Sequence, residues 1–302
     1  MSFTTMKDLE AHVFARAAQK RVVAVVEAAE EHVLEAVCEA ARKGLVQALL
    51  YGRAAEVREK LRVMGEHAND FIIINTENPE DSAFQAGMAA GEGRADFILK
   101  GLVPTGVLLK NLFRKETSFR TGRLISHMNI VQVPTYHKLL ALCDAAINVR
   151  PDLEQKRQIL CNAVQTLHRM GVENPKVAVL ASSETVNEKM PEALDAAALK
   201  AMNARGEIEG CMVEGPISYD LAICRESAEV KGYQSPVAGD ADMLVCPDIV
   251  SANVLIKCLR HSALALTAGI VVGGRVPVVL NSRAASAEDK YRTMVLAASA
   301  SL

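Results

Sequence analysis

A serine and an arginine stand side by side in the segment "PVVLNSRAASAEDK" (277–290), where an apolar run ends and a helical pattern begins. Ser282 can donate a hydroxyl hydrogen bond, and the planar guanidinium of Arg283 fits two phosphate oxygens. The start of the following helix adds free N–H groups and positive dipole character. Together these residue types favour an anion site with phosphate as ligand, although Arg283 alone is equally compatible with a surface ion pair.

Two acidic residues follow this pair. Asp289 lies six residues after Arg283, close enough to act as a general base, and Glu288 directly precedes it. Ser286 and Asp289 also have the spacing of a capping box, in which the carboxylate only stabilises a helix N-terminus. The spacing alone leaves both interpretations of Asp289 open.

Several other kinds of site lack their signatures. There is no GxxxxGK[ST] loop, "GEGRAD" (91–96) precedes a strand instead of opening a helix, and GxSxG is absent. The seven histidines are far apart without HExxH, so no metal site is predicted. A net charge of −2 gives no general attraction to nucleic acid, and no apolar run is long enough to span a membrane. Seven cysteines without CxxC spacing indicate free thiols and a cytoplasmic protein.

Short apolar runs alternate with helical patterns and must position these side chains. The runs before residue 102 are "VVAVV", "VQALLYG", "DFIIIN" and "DFILKG". Such alternation predicts βαβ units and a parallel sheet. Ligands of open α/β sheets collect at the carboxyl ends of the strands, where "LNSR" is expected to lie. After Gly122, two β-type runs around "PTYHK" indicate a hairpin or a crossing between domains, with the boundary near 130–150.

Long blocks in one order give a resemblance that covers almost the whole chain. They are "ADFILKGLVPTGVLLK" (95–110), "RTGRLISHM" (120–128), "CDAAINVRPDLEQK" (143–156), "ETVNEKMPEALDAAALK" (184–200), "SPVAGDADMLVCPDIVSANVLIK" (235–257) and "VPVVLNSRAASAEDK" (276–290). The chain resembles the phosphate acetyl/butyryltransferase family, in its butyryltransferase branch. The resemblance assigns catalysis to Ser282, Arg283 and Asp289. The butyryltransferase branch often carries its acid at the position of Glu288, so the base remains open between the two acids.

The same resemblance identifies further candidate site residues that their spacing alone would not distinguish. It makes Lys100, at the end of a strand, a candidate phosphate ligand, and Arg123 with Ser126 candidate substrate contacts. His127 is a weaker candidate, since a packed histidine is more common. Asp240 of "GDAD" is expected to brace the substrate site.

The resemblance implies two α/β domains with largely parallel sheets around a central cleft, as in the isocitrate/isopropylmalate dehydrogenases. Domain I is expected at 1–134 plus 268–302, and domain II at 135–267. The implied reaction converts acyl-CoA and phosphate into acyl phosphate and CoA, with a butyryl or other short acyl group. CoA is then a substrate, no cofactor is tightly bound, and the protein is a homodimer or larger homo-oligomer. The alternatives are an acetyl-CoA enzyme, a non-catalytic relative that binds CoA or acyl phosphate, and a nicotinamide-dependent dehydrogenase.

Overall fold

The computed structural model describes residues 3–16, 20–281 and 285–302. In these ranges, buried strands alternate with helices along most of the chain, and most neighbouring strands are parallel. Strands of this kind are apolar on both faces because helices cover the sheet. The prediction of an α/β fold with largely parallel sheets is therefore confirmed. No helix in the described ranges is both long and apolar enough to cross a membrane.

Two compact units share the chain, and each combines two separate stretches of sequence. We call Leu9–Arg123 with Ala268–Leu302 the terminal unit, and Leu124–Thr267 with the chain up to Asp8 the central unit. The sequence-based division enters the second domain at residue 135, whereas the structure enters the central unit at Leu124. The difference arises because the first strand after this point pairs with the next strand of the central unit, so the whole hairpin belongs there.

Eleven strands and eleven α-helices lie in the described ranges, and both are numbered in chain order. The strands are β1 (Arg21–Val26), β2 (Val46–Gly52), β3 (Ile72–Asn75), β4 (Phe97–Lys100), β5 (Ser126–Gln132), β6 (Leu140–Cys143), β7 (Lys176–Leu180), β8 (Met212–Ile217), β9 (Met243–Val245), β10 (Leu266–Val272) and β11 (Val278–Val279). The helices are α1 (Met6–Arg16), α2 (Glu31–Arg42), α3 (Ala54–Val63), α4 (Pro79–Gly91), α5 (Thr105–Leu112), α6 (Leu153–Arg169), α7 (Pro191–Ala204), α8 (Tyr219–Ile223), α9 (Arg225–Val230), α10 (Ile249–Ser262) and α11 (Ala287–Ala300).

The sheet of the terminal unit has the strand order β3-β2-β1-β4-β11-β10. Its neighbours are parallel except for β10 and β11, which are antiparallel. The chain builds outward from β1 through β2 to β3 and then places β4 on the other side of β1. The strand order therefore reverses between β1 and β4, and the carboxyl ends of these strands flank the crevice in which open α/β sheets bind ligands.

The sheet of the central unit has the order β5-β6-β9-β7-β8. The hairpin expected around "PTYHK" is present, because β5 and β6 are antiparallel neighbours. The remaining pairs are parallel. Since β5 runs against β6, the start of β5 lies at the same edge as the carboxyl ends of the parallel strands.

Helices α2 and α11 pack against each other in the terminal unit. The apolar positions Val33, Leu34, Val37 and Cys38 recur at helical spacing, and all four are buried in α2. Helix α11 has 14 residues, of which ten are buried. The helix that begins just after the Ser-Arg pair is therefore held firmly by the core of the terminal unit.

Candidate active site

Lys100 lies at the carboxyl edge of the terminal unit, beside the point where the strand order reverses. It is the last residue of β4, it is only 8% exposed, and it pairs in register with Val26 of β1. Its Nζ atom donates to the carbonyl oxygen of Gly101 at 3.4 Å. A Cβ atom at Gly101 would come within 2.1 Å of the Glu27 carbonyl oxygen, so only glycine allows the ends of β1 and β4 to approach this closely. A buried lysine thus lies at the carboxyl end of β4.

Glu27, which follows β1, is a second ionisable group at this edge, and the sequence analysis did not identify it. Its backbone has a positive φ of 54°, a conformation that is rare for residues other than glycine. Its backbone N–H donates to the hydroxyl of the buried Ser82 at 3.1 Å. Burial raises the pKa of the Glu27 carboxyl, against the opposing effects of the Ser82 hydroxyl and the Arg53 guanidinium. The signal in the sequence is an acid placed directly after the apolar run "VVAVV".

The third strand end at this edge belongs to β11, the neighbour of β4. Asn281 follows it, and its Nδ2 atom donates to the Thr293 hydroxyl at 3.1 Å. The Oδ1 atom of Asn281 is buried and accepts no hydrogen bond from the residues that the structure describes. A buried acceptor without a donor costs about 1–3 kcal/mol, so a donor on a bound ligand would be favourable here. Ser282 and Arg283, the next residues in the chain, lie outside the described residues.

Helix α11 begins at this edge, and Asp289 occupies its first turn. The Ser286 hydroxyl caps the helix by accepting a hydrogen bond from the Asp289 backbone N–H at 3.1 Å. This cap uses the backbone of Asp289 and the side chain of Ser286. Helix α11 therefore has the predicted cap at Ser286, and this capping hydrogen bond does not involve the Asp289 carboxylate.

The two acids of α11 differ in their surroundings. The side chain of Asp289 is 18% exposed, whereas that of Glu288 is 82% exposed. Both accept from the guanidinium of Arg292, at 2.8 Å from Nη1 to Asp289 and 2.8 Å from Nη2 to Glu288. Arg292 is itself only 11% exposed. The less exposed carboxylate, whose position Arg292 fixes, is thus Asp289.

Ser126 and His127 begin β5 and lie at the carboxyl edge of the parallel strands of the central unit. The Ser126 hydroxyl is buried and accepts from Asn162 Nδ2 at 3.1 Å. His127 Nδ1 lies 3.1 Å from the side-chain amide Nδ2 of Asn129. Burial lowers the pKa of His127 and keeps the ring neutral. The Asp144 carboxylate accepts from the His127 backbone N–H at 3.0 Å and so fixes this strand start.

Arg123 is the last residue of the terminal unit before the chain enters the central unit, and it is exposed. Its Nε atom and its backbone N–H each lie 3.4 Å from the Thr121 hydroxyl, which donates to the Gly273 carbonyl at 2.6 Å. The turn that carries Arg123 is therefore fastened to the end of β10. The structure brings Lys100, Asn281 and Asp289 to one edge of a single sheet, and Arg123 is not part of that group.

Asp240 lies at the opposite edge of the central unit, near the amino ends of the parallel strands. Its carboxylate pairs with the ammonium groups of Lys176 and Lys138, at 2.5 Å and 2.9 Å, and with His137 at 2.8 Å. Lys176 starts β7, and Lys138 also pairs with Asp242, which precedes β9. Despite partial burial, the hydrogen bonds from Lys176, Lys138 and His137 hold the pKa of Asp240 far below its ordinary value. Asp240 therefore braces the starts of the strands, away from the carboxyl edge where ligands bind.

The cysteines do not provide a nucleophile in the buried parts of the fold. All seven are free thiols. Burial raises the pKa of Cys38, Cys211 and Cys246 to about 12, so these three are protonated at neutral pH. In the described ranges, no three His, Cys, Asp or Glu side chains lie close enough together to hold a metal ion.

Comparison with known proteins gives matches along most of the chain. A family model described as "Phosphate acetyl/butaryl transferase" matches residues 73–298. A phosphate butyryltransferase from Clostridium acetobutylicum is 41% identical over 280 residues, which cover 93% of this chain and 93% of that protein. A phosphate acetyltransferase from Thermotoga maritima is 39% identical over 276 residues, or 91% of this chain and 94% of that protein. The crystal structure of a branched-chain phosphotransacylase from Enterococcus faecalis V583 has a TM-score of 0.84 and 29% identity, over 93% of this chain and 99% of that one.

Proposed function

Because the chain belongs to the phosphate acetyl/butaryl transferase family, we propose that it transfers an acyl group between CoA and inorganic phosphate. The reaction is acyl-CoA plus phosphate in exchange for acyl phosphate plus CoA. The structural observation that carries the proposal is the edge of the terminal unit. There Lys100, Asn281 and the first turn of α11 lie at the carboxyl ends of neighbouring strands. A cation can bind phosphate, and a carboxylate can accept the proton of a thiol.

The proposed chemistry is a direct transfer. A CoA thiol has a pKa of about 8.5, so little of it is thiolate at neutral pH. The Asp289 carboxylate accepts the thiol proton as the sulfur attacks the acyl carbon of acyl phosphate. The bond from that carbon to the bridging oxygen then breaks, and phosphate leaves with the electron pair. Arg283 binds the phosphate oxygens, and Ser282 donates a hydrogen bond to the developing charge. In the other direction, phosphate attacks the thioester and the departing sulfur recovers the proton from Asp289.

We propose Asp289 as the base and Glu288 as a secondary acid. The support is their difference in exposure and the position of Arg292. A base must be held at a fixed distance from the proton that it accepts. The Asp289 carboxylate is mostly buried and bonded to a mostly buried guanidinium, whereas the Glu288 side chain is 82% exposed. Glu288 also accepts from Arg292, but its side chain lies mostly in water, where ion pairs contribute little.

The remaining site residues are proposed as substrate contacts. Lys100 is proposed to bind phosphate, since its ammonium is buried at the carboxyl end of β4, the edge at which open α/β sheets bind ligands. Arg123, Ser126 and His127 are proposed to contact CoA or the acyl group, as the family resemblance implies. Asp240 is proposed to brace the sheet of the central unit, which its contacts with Lys176, Lys138 and His137 support.

The acyl group is proposed to be butyryl or another short chain. Relatives called phosphate butyryltransferase and phosphate acetyltransferase match the chain at 41% and 39% identity. Butyryl-CoA and acetyl-CoA are therefore the first two substrates to test. CoA is proposed to enter and leave as a substrate, with no tightly bound cofactor. The seven free thiols support a cytoplasmic location, where thiols stay reduced.

We propose a homodimer as the assembly, formed through helix α10 of the central unit. Val250 and Val254 stand four residues apart on one face of α10, and they are 66% and 61% exposed. Val149 is 64% exposed, and its carbonyl accepts the backbone N–H of Ile249, the first residue of α10. Together these valines form an exposed apolar patch that a second copy of the chain would cover.

One assay separates the proposed function from its alternatives. Purified protein is mixed with acetyl-, propionyl-, butyryl- or branched acyl-CoA and phosphate, and free thiol is measured with a chromogenic disulfide. Acyl phosphate is trapped in parallel with hydroxylamine. We expect thiol release that requires phosphate and is indifferent to nicotinamide nucleotides. Binding of CoA without turnover would indicate a non-catalytic relative, and release that requires a nicotinamide nucleotide would indicate a dehydrogenase.

A further inference from the structure

A cavity of about 480 Å³ lies at the amino edge of the sheet in the terminal unit. Lys20 directly precedes β1, Val46 begins β2 and Phe71 directly precedes β3, so the amino ends of three neighbouring strands form one wall. The last turn of α2, with Cys38 and Arg42, forms another wall. Small-molecule sites in proteins usually measure about 300–1,000 Å³. The cavity is therefore large enough to hold a small molecule.

The charged residues that line the cavity are balanced in sign. Lys20 and Arg42 are cations, and Glu66 and Asp70 are anions. Arg42 and Glu66 form an ion pair with each other. Lys20 and Asp70 form no ion pair with any residue that the structure describes, so a ligand could pair with one cation and one anion here. A simple anion such as phosphate would meet two carboxylates in this cavity, and a simple cation would meet two positive groups.

The floor of the cavity is apolar. Val46 and Ala48 lie two residues apart in β2, and together with Cys38 of α2 they are at most 2% exposed. Burial raises the pKa of the Cys38 thiol to about 12, so this thiol stays protonated and packs as a small apolar group. The half-buried ring of Phe71 adds aromatic surface. An apolar part of a ligand would therefore gain free energy by leaving water for this floor.

We propose that the cavity binds a small zwitterion with an apolar side chain, the class to which aliphatic and aromatic α-amino acids and short apolar dipeptides belong. The ligand carboxylate pairs with Lys20, the ligand ammonium pairs with Asp70, and the apolar part packs against β2 and Phe71. A molecule that carries both charges matches a lining with equal numbers of cations and anions, and each of its charges keeps a partner on leaving water.

This site is separate from the proposed active site, and the inference does not rest on the proposed function. Lys100 lies at the carboxyl end of β4, and α11 begins at the same edge of the sheet. The cavity lies at the amino ends of β1, β2 and β3, which is the opposite edge. A zwitterion in the cavity and substrates at the carboxyl edge could therefore be bound at the same time.

Calorimetric titration of the full chain with L-leucine, L-phenylalanine and leucyl-leucine tests the proposal. For the zwitterion that binds most tightly, its amide removes the carboxylate charge and its deaminated acid removes the ammonium; for leucine these are leucinamide and 4-methylpentanoate. We expect saturable binding at one site per chain, with both analogues weaker by about tenfold or more. The affinity of the dipeptide relative to leucine shows which charge spacing the site accepts. No saturable binding of any zwitterion, or equal affinity for both analogues, would overturn the proposal.

Four variants locate the binding in the cavity. Lys20→Met and Asp70→Asn each remove one charged contact at an exposed residue, and each should weaken binding by about tenfold. Ala41→Phe keeps every charge and places a ring in the cavity, so it should abolish binding. Lys60→Met is the matched control, because Lys60 is an exposed lysine of α3 that does not line the cavity. Wild-type affinity in both Lys20→Met and Asp70→Asn would overturn the proposal.

Titration in the presence of saturating CoA and phosphate separates this site from the proposed active site. We expect the affinity for the zwitterion to stay within about twofold, as for two ligands without coupling. Displacement of the zwitterion by CoA or phosphate would place its binding at the carboxyl edge and overturn the proposal. Absence of transacylation in the wild type would instead reject the proposed function, and the titrations would still decide whether the cavity binds a zwitterion.

Discussion

Replacing Asp289 by asparagine tests the proposed base directly. The substitution keeps the size of the side chain and removes the carboxylate. The cap of α11 should survive, because it joins the Ser286 hydroxyl to the backbone N–H of residue 289. A lost general base typically reduces the rate about 10²–10⁴-fold. We therefore expect kcat to fall by that factor while KM for both substrates changes little.

The structure also sets the expected loss of stability. Asp289→Asn gives up an ion pair with Arg292 whose members are 18% and 11% exposed. Arg292 keeps its contact with Glu288 at 2.8 Å, so no charge is left buried and alone. We expect the free energy of unfolding to fall by about 1 kcal/mol. This is the upper end of the range for exposed ion pairs, and we use it because this pair is mostly shielded from water. For a chain of this size, that lowers the melting temperature by about 2–4 °C. A loss this small cannot account for a large fall in kcat.

The matched control is Glu288→Gln, which removes the exposed partner of the same arginine. We expect kcat to stay within about threefold of wild type, far from the general-base range. Both variants are assayed by thiol release at saturating substrates, and both are melted in the same buffer. An inactive Glu288→Gln beside an active Asp289→Asn would move the base by one position. A loss below about tenfold in both variants would refute the carboxylate mechanism.

Four further predictions address phosphate, the thiols, Glu27 and assembly. Arg283→Ala should raise KM for phosphate and lower kcat, with only partial recovery in Arg283→Lys, because a point charge cannot replace a planar fork; wild-type kinetics in both would exclude the phosphate contact. Alkylation of accessible cysteines should leave activity largely intact, whereas inactivation at one cysteine that substrate prevents would indicate a covalent intermediate. Because burial raises the pKa of Glu27 above 4.5, its charge destabilises the fold at neutral pH and ceases to do so below pH 4.5. Glu27→Gln should therefore melt higher than wild type at pH 7, with the advantage disappearing at pH 4, and a constant difference would contradict this account. Val254→Asp should convert the proposed dimer to a monomer in light scattering, while Val230→Asp, at another exposed valine of the central unit, should not.

The strands and the edge that carries Lys100 could be predicted from the sequence, because local patterns determine them. Apolar runs followed by helical patterns are sufficient to place β1, β2, β3 and β4, and a residue at the end of a parallel strand must lie at the carboxyl edge. Asp289 in the first turn of α11 follows from the helix-start signal at Ser286. The choice between the two acids could not be made, since their exposure depends on how α11 packs.

Other features depend on contacts between distant parts of the chain. Asp240 meets Lys138 and Lys176 because β9 inserts between β6 and β7, and no local pattern encodes that insertion. Glu27 lies close to the end of β4 because β4 pairs with β1, and this pairing joins residues that are distant in the sequence. The chain enters the central unit at Leu124 because β5 pairs with β6. The boundary predicted at the turn between these strands would place them in different domains.

The most direct test of the central claim measures both products of one reaction. Wild-type protein is incubated with butyryl-CoA and ¹⁸O-labelled phosphate; free thiol and acyl hydroxamate are quantified together, and the oxygen label is read by mass spectrometry on acyl phosphate that has not been trapped. The proposed reaction predicts that the two products form in equal amounts, only when phosphate is present, and that acyl phosphate retains all the oxygen label because a phosphate oxygen attacks the acyl carbon. Thiol release without phosphate, or without a matching amount of labelled acyl phosphate, would contradict it.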